Sequence, residues 1–357
     1  MIISRTPFRI SFFGGGTDYP AWYRRHGGAV LGAAIDKYCY LTCRHLPPFF
    51  EHRYRIVYSK IENCQSVGEI AHPSVRAAFS FLGVERGIEI HHDGDLPARS
   101  GMGSSSAFTV GLLHAVHALH GRMPSRHELA TQAIHVEQQM LDETVGSQDQ
   151  VFAAFGGVNR IQFGGGDDFA VQPVTVATGR LSELNSHLLL MYTGIVRTAS
   201  DIASSYVSDL DDKRRDLRII RDMVDEALGI LAGGRDLRAF GELLHEAWQV
   251  KRGMAKAISN PRVDEIYEEA RRAGALGGKL TGAGGGGFML LFAPPERHAE
   301  IQARLPRLLA VPFRFDFNGS QIIFIDRERD YQLEEGVRDC QDIAAFTEID
   351  GHVVGQR

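Results

Sequence analysis

In the run Leu96-Pro97-Ala98-Arg99-Ser100-Gly101-Met102-Gly103-Ser104-Ser105-Ser106-Ala107, glycines and hydroxyls pass straight into an apolar segment. That order suits an anion. Glycine lets the backbone approach a phosphate closely, the first N–H groups of a following helix point at it, and the helix dipole favours negative charge there. Serine hydroxyls add donors, and one of them could ligate a magnesium ion. On this stretch alone, an ordinary Ser/Gly loop before a core helix stays open.

The chain after the loop reads as a buried helix from Ala107 to His120. Phe108, Val110, Leu112, Leu113, Val116 and Leu119 cover it nearly all round, and Gly121 with Pro124 ends it. Two other nucleotide folds fall away. No Gly-x-x-x-x-Gly-Lys-Ser/Thr string exists, which removes the P-loop NTPases. Gly282-Ala283-Gly284-Gly285-Gly286-Gly287 matches the dinucleotide fingerprint by letter, but Phe288 to Ala293 and Pro294-Pro295 follow it: a strand and a stop, where that motif needs a helix.

At 357 residues the chain has room for two domains. A net charge of −5, with basic residues dispersed among acids, argues against a nucleic-acid partner. Cys39, Cys43, Cys64 and Cys340 have neither metal-ligand spacing nor the density of a disulfide scaffold, so reduced thiols are expected. No charged leader with an apolar core and no membrane-length apolar run is present, and the expectation is a soluble, cytoplasmic protein with no membrane partner.

Strands are expected at Ile10 to Phe13, Ala29 to Tyr40, Arg55 to Tyr58 and Ile88 to His91. Ser125 and Glu128 have capping-box spacing, and Val151 to Phe163 followed by Gly164 to Asp168 reads as a helix end and a hairpin. The polar stretch Ala177 to Ser186 marks a boundary, giving domains 1–182 and 183–357. Beyond it come the strand Leu188 to Tyr192 and helices at Asp209 to Leu231 and Asp236 to Lys256. A third helix is capped by Asn260 before Pro261, a fourth runs from about Glu296 to Leu309, and strands follow at Pro312 to Phe317 and Gln321 to Ile325. Helices stacked on an antiparallel sheet make this half α+β.

Three glycine loops stand in order along the chain: Gly14-Gly15-Gly16-Thr17-Asp18 after a strand, Pro97 to Ala107, and Lys279 to Gly287. Four successive glycines in the last suggest that something approaches its backbone closely. Together the loops resemble the three motifs of the GHMP small-molecule kinases, with Met102 in place of a leucine in the middle one. The resemblance implies a two-domain α+β fold, an N-terminal ribosomal-protein-like domain and a C-terminal ferredoxin-like one. It also implies ATP and Mg²⁺. On this resemblance Pro97, Gly101, Met102, Gly103, Ser104, Ser105, Ser106 and Ala107 would hold ATP, Ser105 and Glu137 the magnesium ion, and Asp149 would be catalytic. Arg9 would contact Asp149, and Asp18 would bind sugar hydroxyls.

The loop lacks the Glu and His of galactokinases and is similar to the branch containing heptose 7-phosphate kinases. That implies phosphorylation of the anomeric C1 hydroxyl of a sugar phosphate, with Gly15, Gly16, Thr17, Asp18, Gly282, Gly284 and Gly285 on the substrate. Arg197, and Lys251 with Arg252, are candidates for clamping its distal phosphate. A fucose-like or other hexose 1-kinase and a non-catalytic sugar sensor are the alternatives, and a homodimer is left open. His91-His92-Asp93-Gly94-Asp95 has no further ligand at metal spacing and is expected to be structural. Tyr58-Ser59-Lys60 is the guess for adenine.

Overall fold

The computed structural model describes residues 1–98, 100–166, 168–195, 212–326 and 331–339. Its larger sheet is built on two long antiparallel strands, β1 (Ile2–Phe13) and β2 (Gly28–His45). β2 pairs on its other side with two strands in turn: β6 (Val158–Phe163) along Gly28 to Ala33, and β5 (Ile88–Gly94) along Cys39 to His45. Beyond β5 lie β3 (Tyr54–Val57) and β4 (Ile61–Cys64), and beyond β6 lies β7 (Phe169–Pro173), completing the expected hairpin. The smaller sheet is wholly antiparallel, in the order β11 (Leu309–Ala310), β8 (Leu188–Tyr192), β10 (Phe288–Phe292) and β9 (Gly277–Leu280). The architecture is α+β with two sheets, as the sequence implies.

The helix Ser104–Leu119 packs on β1 and β2, and residues all round it are buried, which explains why it shows no amphipathic stripe. Ser125 and Glu128 exchange both capping-box hydrogen bonds at the start of Arg126–His135, and Asn260 accepts from the N–H groups of Arg262 and Val263 at the start of Pro261–Arg272. The helix Arg238–Met254 packs on β9 of the smaller sheet, and Arg214–Ala232 packs on that helix and on β1 and β2. Phe12 and Phe13 at the end of β1 meet Phe240 of the helix Arg238–Met254 edge-on at 5.5 and 5.1 Å, and Phe240 in turn meets Phe292 of β10 at 5.9 Å.

The polar stretch Ala177 to Ser186, taken as the boundary, lies largely within a helix, Thr178–His187, anchored by the buried Leu184. Two expectations for the second half fail. Gln321–Ile325 (β12) does not join the second sheet; it pairs with the outer edge of β1, from Ile2 opposite Ile325 to Arg5 opposite Gln321. The segment from Pro312 to Phe317 is no strand. It fills the gap on β2 between its β6 and β5 partners, where Asp36 N–H donates to the Arg314 carbonyl and Asp316 N–H to the Ala34 carbonyl, both at 2.9 Å. Among the described residues no helix is long and apolar enough to cross a membrane.

Candidate active site

Three consecutive side chains at the start of the helix Gln148–Phe155 reach three different elements, because each helical residue is turned by about 100° from the last. Gln148 Nε2 donates to Asp18 Oδ2 at 2.8 Å. Asp149 accepts a bidentate pair from Arg9, Nε to Oδ1 at 2.7 Å and Nη2 to Oδ2 at 2.6 Å. Gln150 Nε2 donates to Glu137. The third guanidinium nitrogen of Arg9, Nη1, donates to the Gly101 carbonyl at 2.6 Å, so one buried arginine ties Asp149 to the glycine loop. Such a fork fixes the orientation of a carboxylate.

Arg9, Asp18, Gln148 and Asp149 face a cleft of about 480 Å³, with Gln150 and Glu137 buried behind it. On one wall lie Gly15, Gly16 and Asp18, on another Gly101, Gly103, Ser104, Ser105 and Ser106 at the N-terminus of Ser104–Leu119, and on a third Lys251, Lys279 and Gly282. Asp18 is 1% exposed and accepts from Gly16 N–H at 2.9 Å. Burial pushes its carboxyl above the ordinary range; the Gly16 and Gln148 donors pull it back, and the charge of Asp149 adds to the rise.

Several predicted contacts are placed elsewhere. Thr17 is fully buried, its hydroxyl 2.8 Å from the Gly14 carbonyl and 3.0 Å from that of Ala29 and accepting from Ala29 N–H; it staples the turn and does not face the cleft. Met102 points into the core, offering only its carbonyl, to Arg9 N–H at 3.1 Å. Pro97 and Ala107 do not line the cleft. Ser105 is exposed, and Glu137 meets the next residue: Ser106 Oγ donates to Glu137 Oε2 at 2.8 Å.

Glu137 is wholly buried in a π-helical turn, Val136–Met140, and its Oε1 has no partner among the described residues. Burial pushes its carboxyl up to about 7, against the donors Thr109, Ser106 and Gln150. Ser106 and Glu137 form a set of hard oxygen donors with an unused carboxylate oxygen directly behind the glycine loop, and such a set fits magnesium.

The third loop answers its own riddle. A Cβ on Gly287 would lie 2.2 Å from the Ser100 carbonyl oxygen, and one on Gly282 2.9 Å from the Gly101 backbone. What approaches these glycines is the middle loop. Gly284 and Gly285 were expected on the substrate, but they pack on the segment before Asn260: Gly285 N–H donates to the Ile258 carbonyl at 2.9 Å, and the same residue crowds Gly284. Of the three predicted glycines only Gly282 lines the cleft.

The candidate clamps separate as well. Arg197 lies outside the described residues. Arg252 is engaged by Gln249 and Asp264 at 2.7 and 3.3 Å, whereas Lys251 is buried in the cleft wall. Tyr58 packs edge-on behind His72, and the cleft surface there is made by His72, Phe108 and His92, with His72 stacked on Phe108 at 4.9 Å. His91 pairs with Glu89 at 2.9 Å, whereas His92 lines the cleft.

Gln148, Lys279 and Ser11, whose buried hydroxyl has no partner among the described residues, are cleft residues that sequence reasoning missed. The signal for Lys251 was readable: it stands at i+7 from Leu244, in line with Ala247 and Trp248 on the apolar face of its helix.

Residues 69–157 match the family model of the GHMP kinase N-terminal domain, and residues 219–310 that of the GHMP kinase C-terminal region. A D-glycero-alpha-D-manno-heptose 7-phosphate kinase from Campylobacter jejuni is 28% identical over 307 residues, covering 83% of this chain and 90% of that protein. An L-fucokinase/L-fucose-1-P guanylyltransferase from Bacteroides fragilis is 26% identical over 84% of this chain, which spans 35% of that longer protein. The crystal structure of a D-glycero-D-manno-heptose 1-phosphate kinase from Bacteroides thetaiotaomicron shares the fold, with a TM-score of 0.75 at 24% identity over 92% of this chain and 100% of that one. The chain belongs to the GHMP kinase family and is a phosphotransferase with a hydroxyl group as acceptor.

Proposed function

We propose that this kinase transfers the γ-phosphoryl group of ATP to the anomeric C1 hydroxyl of D-glycero-D-manno-heptose 7-phosphate, in the cytoplasm, on the way to nucleotide-activated heptose. The observation that carries the chemistry is the Arg9–Asp149 fork tied to Gly101, which holds a carboxylate between a helix N-terminus and the Gly15–Asp18 loop. In this reading Asp149 orients the attacking hydroxyl and accepts its proton, and Arg9 positions Asp149. Gly103 to Ser106 cradle the nucleotide phosphates. Asp18, with Gly15 and Gly16, accepts from sugar hydroxyls. Ser106 and Glu137 would hold the magnesium ion, which neutralises phosphate charge when bound.

The likeness to the Campylobacter enzyme over most of both chains supports the heptose reading. The likeness to the Bacteroides fucokinase favours a hexose 1-kinase as the second reading. An ADP-release assay over heptose 7-phosphates, fucose, galactose and mannose decides between them. Turnover is expected with heptose 7-phosphate; turnover of neutral sugars only would overturn the assignment.

A further inference from the structure

Helix Arg238–Met254 buries one face, and Lys251 lies on it, 7% exposed. An ammonium has three donors, and one here is accounted for: Nζ donates to the Gly282 carbonyl at 2.7 Å. Among the described residues no carboxylate lies within ion-pair distance of it. Lys279 is in the same condition, 5% exposed and donating to the Phe12 carbonyl at 3.0 Å. A buried ammonium without a counter-ion is costly: burial first, and then the charge of Lys251, push the Lys279 ammonium well below its ordinary range, and a cleft wall that holds both lysines is prepared for an anion that arrives with the ligand.

The place of Lys251 says which anion. Gly282, whose carbonyl it holds, abuts the backbone of Gly101, and the Gly101 carbonyl takes Nη1 of Arg9. The charged groups around the ammonium are Asp18 and Arg9 from β1 and its loop, Asp149 from the helix Gln148–Phe155, and Lys279 from β9. That is the reacting end of the cleft, not the far end where a distal phosphate would sit.

We propose that Lys251 is a catalytic residue whose ammonium contacts the phosphoryl group in flight and carries part of the charge on its peripheral oxygens. The inference rests on the reading of this cleft as the transfer site. In the step, the acceptor hydroxyl oxygen forms a bond to the γ-phosphorus, the bond from that phosphorus to the β,γ-bridging oxygen breaks, and ADP leaves with the electron pair. The hydroxyl proton passes to Asp149, and Lys251 keeps its own throughout. Burial lowers the Lys251 ammonium to about 8, against the pull of Asp18 and Asp149. The free enzyme therefore begins to lose this charge just above neutral pH.

Lys251→Met and Lys251→Arg are compared with wild type in the ADP-release assay, with ADP affinity and thermal melting measured in parallel. Lys251→Met is expected to lower kcat by about 100-fold or more with little change in sugar KM or ADP affinity, and Lys251→Arg to recover at least about tenfold of that loss. Wild-type kcat/KM should fall as pH rises past about 8, and Lys251→Arg should carry that limb to higher pH. If Lys251→Met raised only the KM for a sugar phosphate and spared kcat, Lys251 would be a distal clamp and the proposal would fall. It would fall equally if Lys251→Arg were no better than Lys251→Met, or if wild type showed no alkaline limb, an observation that needs no variant to fold. An error in the sugar assignment would show as turnover of another sugar, on which the same comparison is made; slow ATP hydrolysis by water reads the same step with no sugar.

Discussion

Two glycine-rich loops meet at Gly101 and Gly282, and they use glycine for different ends. The middle loop opens onto the cleft and hands its backbone to the N-terminus of a buried helix, with Arg9, Asp149 and Glu137 gathered around it. The third loop, richer in glycine, mostly lies against other backbone: Ser100, Gly101, Ile195 and Ile258. Close approach is what a glycine run signals in both. The partner is ligand space in one case and the neighbouring loop in the other, and the run itself does not say which.

If the middle loop is chemical and the third mechanical, the largest single effect on turnover belongs beside the middle one. Asp149→Asn keeps the shape but removes the proton acceptor, and kcat is expected to fall by about 10²- to 10⁴-fold, roughly 3–5 kcal/mol of barrier, with ATP affinity retained. ADP release and calorimetric titration measure the two separately. Unchanged kcat would remove Asp149 from the reaction and with it the chemical half of the contrast.

The next effect is on stability and belongs to the third loop. Gly287→Ala places a Cβ 2.2 Å from the Ser100 carbonyl oxygen at a residue with φ +86°, and the cost should be about 2–4 kcal/mol, read as a lower denaturant midpoint. Gly103→Ala, at φ +74°, meets the Arg9 Cγ at 3.2 Å and Asp149 Oδ2 at 3.4 Å. Its strain should be nearer 1 kcal/mol, with roughly a tenfold fall in kcat as the fork is displaced. The contrast breaks if Gly287→Ala is as stable as wild type yet no longer binds ATP.

The same difference explains what the sequence could disclose. The buried helix, its loop and the cap at Asn260 were legible from local spacing, and the Arg9–Asp149 partnership from the resemblance of the motifs. β9 was not: Gly277-Gly278-Lys279-Leu280 has no strand chemistry of its own, and its pairing with β10 makes it one. Nor was the return of β12 to the first sheet, which depends on a free edge of β1 more than 300 residues away. At the site, motif matching named Ser105 and Glu137, but the helical phase turns Ser106 toward Glu137 and leaves Ser105 exposed. Lys251 was named with Arg252 as a candidate clamp, and only its position in the apolar repeat separates the two by placing Lys251 inside.

The smallest expected effect tests the electrostatic loading behind the middle loop. The Glu137 carboxyl is raised to about 7 in the folded chain, above its ordinary value near ~4.3, so the folded state favours the protonated form. Its contribution to stability is therefore fully present below ~4.3 and is lost as pH rises through about 7. In metal-free protein, wild type should lose stability across that interval relative to Glu137→Gln, and the difference should level off above it. Gly287→Ala should follow the wild-type pH slope, displaced downward by a constant amount, because the substitution adds and removes no titrating group. Magnesium added near pH 7.5 should raise the melting temperature of wild type and not of Glu137→Gln, since a bound cation favours the ionised carboxylate. Equal pH slopes in wild type and Glu137→Gln would mean that Glu137 titrates normally, and the oxygen pair behind the phosphate loop would lose its claim to the metal.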